Sequence, residues 1–183
     1  WEKVRRSSRM KFRLLTLLLL AAFVLVAPAQ AESFVFTAIP DEDDSQLRTR
    51  FDKVATYLSK ALGVDVKFVP VKSYAAAVTA FRNNQVQLAW FGGLSGVRAR
   101  ALVKNSAAIA QGAEDMRFQT YFIAHASANL KRSAAFPKAM AGKTFTFGSK
   151  GSTSGRLMPE FHIRKAFGKA PGKVFSRVGF SGD

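Results

Sequence analysis

The sequence predicts an α/β protein of two small lobes, with the second cut short. Three observations carry that expectation. Short apolar runs alternate with segments whose apolar residues recur at helical spacing. Glycines, prolines and asparagines punctuate most junctions. The alternation also starts afresh near Phe118, after one full round. Such a pattern implies right-handed βαβ units around a mostly parallel sheet.

Ser33 to Ile39 (SFVFTAI) is an apolar run closed by Pro40 and reads as a buried first strand. The acidic cluster Asp41-Glu42-Asp43-Asp44, followed by Ser45, supplies N-cap candidates and negative charge where a helix start favours it. Leu47, Phe51, Val54, Ala55, Leu58 and Leu62 then recur on one helical face, and Gly63 stands where a left-handed C-cap belongs. Val64 to Val71 (VDVKFVPV) reads as a second strand whose Pro70 marks an edge or turn. The alanine-rich segment Ser73 to Arg82 is a second helix, ended by Asn83-Asn84. Val86 to Phe91 (VQLAWF) is a third strand stopped by Gly92-Gly93, Leu94 to Val103 a third helix, and Ala107 to Gln111 a further strand.

The second round begins with the strand-like Thr120 to Ala124 (TYFIA) and continues with a short helix at Ala134 to Ala141 and a strand at Lys143 to Phe147. After the loop Gly148 to Ser154 comes a helix expected to carry Leu157, Phe161 and Phe167 inward and to end at Gly168, with Pro159 either starting its regular part or kinking it. A last strand is expected at Val174 to Phe180. Lobe one is thus placed at residues 32–117 and lobe two at 118–183.

Residues 1–31 are set apart. Lys11 and Arg13 precede an apolar run from Leu14 to Val26, and Pro28-Ala29-Gln30-Ala31 has the small-x-small form of a cleavage site, so Met10 to Ala31 reads as a signal peptide. The run is far shorter than the roughly 20 residues that cross a bilayer, which favours a cleaved signal over an anchor. Nothing beyond Val26 is apolar for long enough to span a membrane, and the absence of cysteine excludes disulfides, thiolate metal sites and a lipid-anchored amino terminus. The formal charge of +16 ordinarily points to nucleic acid. Export argues otherwise, and the basic residues are spread through every element without a dense run, as befits a cationic surface that concentrates small anions.

The segment with the most chemistry is Gly148-Ser-Lys-Gly-Ser-Thr-Ser-Gly155, between a predicted strand and a predicted helix. A helix start leaves backbone N–H groups unpaired at the positive end of the peptide dipoles, which suits an oxyanion. Glycines allow close approach, and the hydroxyls of Ser152, Thr153 and Ser154 add neutral donors. The same residues would serve equally as a helix cap. Two lookalikes fail. Ala141-Gly142-Lys143-Thr144 ends like a nucleotide phosphate loop but has Pro137 where that motif wants glycine and a strand where it wants a helix; and no serine sits in a Gly-x-Ser-x-Gly frame. His125 and His162 stand alone, without a cluster at metal-ligand spacing, and no cofactor is expected. Tyr74 opens a helix directly after a strand, at the carboxyl edge where open α/β sheets bind ligands; it reads either as a structural tyrosine or as a phenol donor to an anion.

Three stretches resemble the periplasmic binding proteins of phosphate, phosphite and phosphonate importers, including a subgroup described as selenate binders: Val71-Lys-Ser-Tyr-Ala-Ala-Ala-Val78, Val86-Gln-Leu-Ala-Trp-Phe-Gly-Gly-Leu-Ser95 and, most specifically, Ser152-Thr-Ser-Gly-Arg-Leu-Met-Pro159. The resemblance implies a type II periplasmic binding protein of two Rossmann-like lobes. It also implies that a small tetrahedral oxyanion is held between Tyr74 on one side and Ser152, Thr153, Ser154 and the Gly155 amide on the other. A family tyrosine at the entry to the second lobe corresponds either to Phe118, which departs from the pattern, or to Tyr121. The protein is then a monomeric solute-binding component of an ABC importer, partnered by a membrane permease, binding no nucleic acid and catalysing nothing. Two other classes stay open: a phosphate-ester hydrolase or transferase using the same helix start, and the ligand-binding domain of a sensory receptor.

Overall fold

Alternating apolar side chains make Phe34–Ala38 a strand, β1, and Phe36 and Ala38 point into a core. The computed structural model describes residues 33–182, so the proposed signal peptide lies outside the described residues. Asp43 caps α1 (Asp44–Leu62), its carboxylate accepting the amides of Ser45 and Gln46 at 3.0 Å each. Two other acids of that cluster form ion pairs, Glu42 with Arg50 and Asp44 with Lys72. The helix ends at Gly63 with φ 69, and its stripe Leu47, Phe51 and Ala55 is buried.

Strand β2 (Val66–Phe68) is shorter than the pattern predicts, and α2 (Tyr74–Arg82) follows with Ser73 as N-cap. Strand β3 is Leu88–Trp90 and α3 is Gly93–Leu102, capped at Gly92. The three strands form a parallel sheet in the order β2-β1-β3, with Phe34 opposite Val66 and Phe36 opposite Leu88. Buried Thr37 donates its hydroxyl to the Val69 carbonyl at 2.6 Å, fastening the end of β1 to the exit of β2. Phe36, Phe51 and Phe68 meet ring to ring beneath α1.

Strand β4 (Thr144–Phe147) pairs in parallel with β5 (Arg177–Phe180), Phe147 opposite Phe180. Between them a five-residue π-helical turn, Thr153–Leu157, leads into α4 (Met158–Phe167), whose second residue is Pro159, so the proline starts the regular helix. A second core gathers Met140, Phe147, Ile163, Val174 and Phe175, with Phe122, Phe136, Phe145 and Phe167 packed against it. Residues 33–182 belong to one compact unit.

Four expectations are corrected. The segments Ala107 to Gln111 and Thr120 to Ala124 are extended but form no strand, because a strand exists only against a hydrogen-bonded neighbour and neither has one among the described residues. Their apolar members stay outside the cores, with Ile109 77% and Ile123 94% exposed. The helix expected at Ala134 to Ala141 is only a 3₁₀ turn, Lys138–Met140, following Pro137. And α4 turns Ile163, fully buried, toward the core along with Phe167, while Phe161 and Leu157 face outward. The π turn inserts an extra residue per turn and rotates the helical face away from the register that a plain 3.6-residue spacing gives. No helix of the described residues is long and apolar enough to cross a membrane.

Candidate functional site

The cradle begins where β4 ends. Gly148 and Gly155 lie backbone to backbone, with Gly148 N donating to Gly155 O at 2.8 Å, and a Cβ on Gly148 would sit 3.0 Å from Gly155 Cα. That bond closes the loop on itself and presents Ser149 to Ser154 as its rim. Ser152 is the N-cap of the π turn; its Oγ accepts the Gly155 amide at 2.9 Å and the residue is 8% exposed. The amides of Thr153 and Ser154, among the first-turn donors that a helix start leaves open, find no acceptor among the described residues.

Three helix starts meet here. The first residue of α2 is Tyr74, buried among Ile39 and Ala77 with Val71 and Phe91 against them, and a Cβ on Gly151 would fall 2.5 Å from Tyr74 Cβ. Only glycine admits that approach. From α3, the Leu94 amide donates to Thr153 Oγ1 at 2.8 Å, while Gly92 and Gly93 bring the backbone of that helix start close to the same threonine. These bonds join the carboxyl edge of the three-stranded sheet to the turn after β4. The sequence alone did not single out Gly93 and Leu94 as part of the site; the available signal was a glycine pair directly after a strand, read only as a stop.

Tyr74, Ser152, Thr153, Ser154 and Gly155 are therefore brought together. Tyr121 stands at the margin: it is 75% exposed and its hydroxyl donates to Gln119 Oε1 at 2.6 Å, but its neighbour Thr120 donates to the Ser154 carbonyl at 2.9 Å. Phe118 is exposed as well. Behind the turn, Glu160 holds Arg156 at 2.8 Å and Arg164 at 2.7 Å, so the first turn of α4 is tied by ion pairs. Asp41, just past β1, has its carboxyl pushed above the ordinary range, chiefly by desolvation. Both histidines are exposed; His125 caps the 3₁₀ turn Ala126–Ala128 through Nδ1. Among the described residues no group of histidines and carboxylates could hold a metal ion. What the arrangement can do is donate hydrogen bonds to a small group with several acceptor oxygens.

Comparison with known proteins agrees. Residues 36–183 match the family described as ABC transporter, phosphonate, periplasmic substrate-binding protein. A probable ABC transporter phosphite binding protein of Prochlorococcus marinus is 43% identical over 147 residues, covering 79% of this chain and 50% of that protein. A phosphate-import protein of Mycolicibacterium smegmatis is 32% identical over 132 residues, covering 70% of this chain and 40% of the relative. The chain thus spans about half the length of the curated relatives it matches. Among solved structures, the Prochlorococcus marinus protein in complex with methylphosphonate superposes with a TM-score of 0.67 at 37% identity, covering 84% of this chain and 57% of that one. A binding protein component of an ABC phosphonate transporter from Pseudomonas aeruginosa, at 22% identity and TM-score 0.58, covers 81% and 50% and shares the fold. That fold is the type II periplasmic binding protein, and the family is one of substrate-binding components rather than enzymes. With nearly all of the described residues inside the match, the chain belongs to the periplasmic substrate-binding proteins of phosphonate ABC transporters.

Proposed function

We propose that this chain is part of an exported solute-binding protein that captures a small tetrahedral oxyanion in the periplasm and delivers it, as a monomer, to the membrane permease of an ABC importer. The single observation that carries the reading is the meeting of three helix starts at one loop, because each brings partial positive charge and backbone donors to the same spot. The ligand is held by the hydroxyls of Ser152, Thr153 and Ser154 and by the first-turn amides, with Tyr74 opposite and Tyr121 at the mouth. Gly155 contributes through Ser152, whose hydroxyl it orients. Residues 32–117 and 118–183 are the parts of two lobes that close over the anion, and closure is the state the permease reads. The signal peptide at Met10 to Ala31 directs export.

Phosphite, methylphosphonate and phosphate, named for the relatives, all suit these donors, as do sulfate and selenate. Isothermal titration of that panel against the full-length protein tests the reading. Replacing Ser152, Thr153 and Ser154 together by alanine is expected to weaken binding at least about tenfold, since a hydrogen bond to a charged group is worth roughly 1.5–3 kcal/mol. Unchanged affinity in the triple variant places the site elsewhere. Turnover of phosphate esters by the purified protein would overturn the binding-protein reading.

A further inference from the structure

Positive charge is shared evenly along this chain and negative charge is not. Residues 33–117 and 118–182 hold eleven lysines and arginines each, but the first stretch has eight carboxylates and the second has one, Glu160. Both oxygens of Glu160 are already engaged, Oε2 by Arg156 and Oε1 by Arg164. The second stretch has no dense run of bases in its sequence, yet the fold gathers six of them at one end.

Strands β4 and β5 start side by side, with Thr144 opposite Arg177 and the Ser176 amide donating to the Lys143 carbonyl at 3.1 Å. The 3₁₀ turn Lys138–Met140 is bonded to that edge, since the Lys143 amide donates to Met140 O at 3.2 Å. A second 3₁₀ turn, Pro171–Lys173, is held there by the Gly142 amide, which donates to Val174 O at 2.8 Å. Because β4 and β5 are parallel, α4 has to run back between their ends, and it delivers Lys165 and Lys169 to the same edge. Lys138, Lys165, Lys169, Lys173 and Arg177 are exposed and Lys143 is half-buried. None of the six side chains forms a hydrogen bond or an ion pair among the described residues. Lys165 has a local use, in the last turn of α4, where a cation complements the negative end of the helix. That use does not extend to Lys138, Lys143, Lys173 and Arg177, which lie on other elements. Nor do the six serve the cradle, which begins at the opposite end of β4: α4 alone spans about 15 Å between the two ends, and charges that far apart are largely screened at physiological salt.

We infer that this end of β4 and β5 is an adsorption surface for anionic lipid headgroups. Two observations favour a lipid surface over an acidic protein. Five of the six cations are lysines, which protein interfaces are depleted in, and only Arg177 offers the planar fork that pairs with a carboxylate in two places. Protein interfaces also centre on buried apolar and aromatic side chains. Beyond residue 124 the exposed large apolar side chains among the described residues are Leu157, Met158, Phe161 and Phe180, and all of them belong to the π turn, the start of α4 or the far end of β5. A layer of mobile phosphate headgroups needs no shaped partner, and each basic residue close to it strengthens binding about fivefold. Adsorption of this kind is reversible and screened by salt. That the membrane is the one holding a permease rests on the importer reading; the adsorption itself does not. On such a membrane the protein would search for the permease across a surface instead of through a volume.

The test is co-sedimentation of the full-length protein with phosphatidylcholine vesicles and with the same vesicles containing phosphatidylglycerol. At low salt the anionic vesicles are expected to bind at least about tenfold more protein, and the excess should shrink severalfold at physiological ionic strength. Replacing Lys138, Lys169 and Lys173 together by glutamine should lower partition onto anionic vesicles at least about tenfold. Replacing Arg48, Lys53 and Lys60 of α1 by glutamine removes the same charge from the other stretch and is expected to change it no more than about twofold. Circular dichroism and oxyanion titration confirm that both variants fold and keep their cradle. Equal losses in the two variants would reduce the effect to net charge and overturn the inference, as would binding no tighter to anionic than to neutral vesicles. Retention by native membranes but not by vesicles of their extracted lipid would assign this end to an acidic protein and overturn it too. The variant with Ser152, Thr153 and Ser154 replaced by alanine separates this inference from the oxyanion reading: it is expected to adsorb as the parent does, and loss of adsorption there would move the contact to the cradle.

Discussion

Two glycines in this chain are required for different reasons, and the difference can be measured. Gly151 has no room: a methyl group there would meet Tyr74 at 2.5 Å, so Gly151→Ala must displace either the tyrosine or the loop. Overpacking of this kind costs about 1–3 kcal/mol, and anion affinity is expected to fall at least about tenfold with it. Gly63 has open space but φ 69, so Gly63→Ala carries backbone strain of about 1–2 kcal/mol and should leave affinity untouched. Chemical denaturation and ligand titration of both variants separate the two cases; equal affinity loss in both would refute the assignment of Gly151 to the site. The role of Gly63 was legible in the sequence, because a glycine after a helical stripe has one common use. The need at Gly151 was not, since its neighbour Tyr74 lies far away along the chain. The same holds for Thr153 and Leu94, which are separated by 59 positions and joined only by the fold.

At the scale of the element, α1 and α4 show what periodicity can and cannot deliver. The terminator of α1 was visible, its cap was one of several candidates, and its stripe was legible at Leu47, Phe51 and Ala55 but not at Val54 and Leu62, which are exposed. Asp43 is held below the ordinary carboxylate range, first by the Ser45 hydroxyl and then by the Gln46 amide. A carboxyl depressed in the folded state adds stability above its unfolded value, and that contribution disappears as pH falls through the folded one. Asp43→Asn keeps an acceptor but cannot ionise, so thermal unfolding of this variant should depend less steeply on acid pH than that of the parent protein. An equal acid dependence would mean that the cap charge contributes nothing. Of the residues expected inward after the cradle, Phe167 packs against the core but Leu157 and Phe161 face outward, because the π turn ahead of the helix shifts the face and no composition signal announces a π turn. Ile163→Ala is accordingly expected to cost about 2–5 kcal/mol, whereas Phe161→Ala, at a position 53% exposed, should stay within about 0.5 kcal/mol. Comparison of denaturation midpoints decides which face is the core.

For the molecule as a whole, strands appear where parallel partners exist, and apolar runs without partners stay extended and exposed. Pattern alone could not distinguish Thr144–Phe147, which has β5 beside it, from Thr120 to Ala124, which has no strand beside it among the described residues. Charge is a second property at this scale. Basic residues on all four α-helices and on β2 and β5 give a field that draws anions in, and such a field is screened within about 8 Å at physiological salt. The association rate of an oxyanion is therefore expected to fall severalfold from low to physiological ionic strength, with the dissociation rate nearly constant. Stopped-flow measurements across a salt series check this, and a salt-independent association rate would confine the electrostatics to the cradle.

The hydrogen bond from Leu94 to Thr153 has a consequence for the order in which the protein assembles. Each of the two aromatic cores can gather from its own stretch of chain, but the recognition turn gains its anchor only once both stand in place. Such a long-range closure carries a loop-closure cost and is expected to form late, so that competence to hold an anion arrives only when both cores are in place. Hydrogen exchange at the Leu94 amide would register that last step, and a bound guest should slow it.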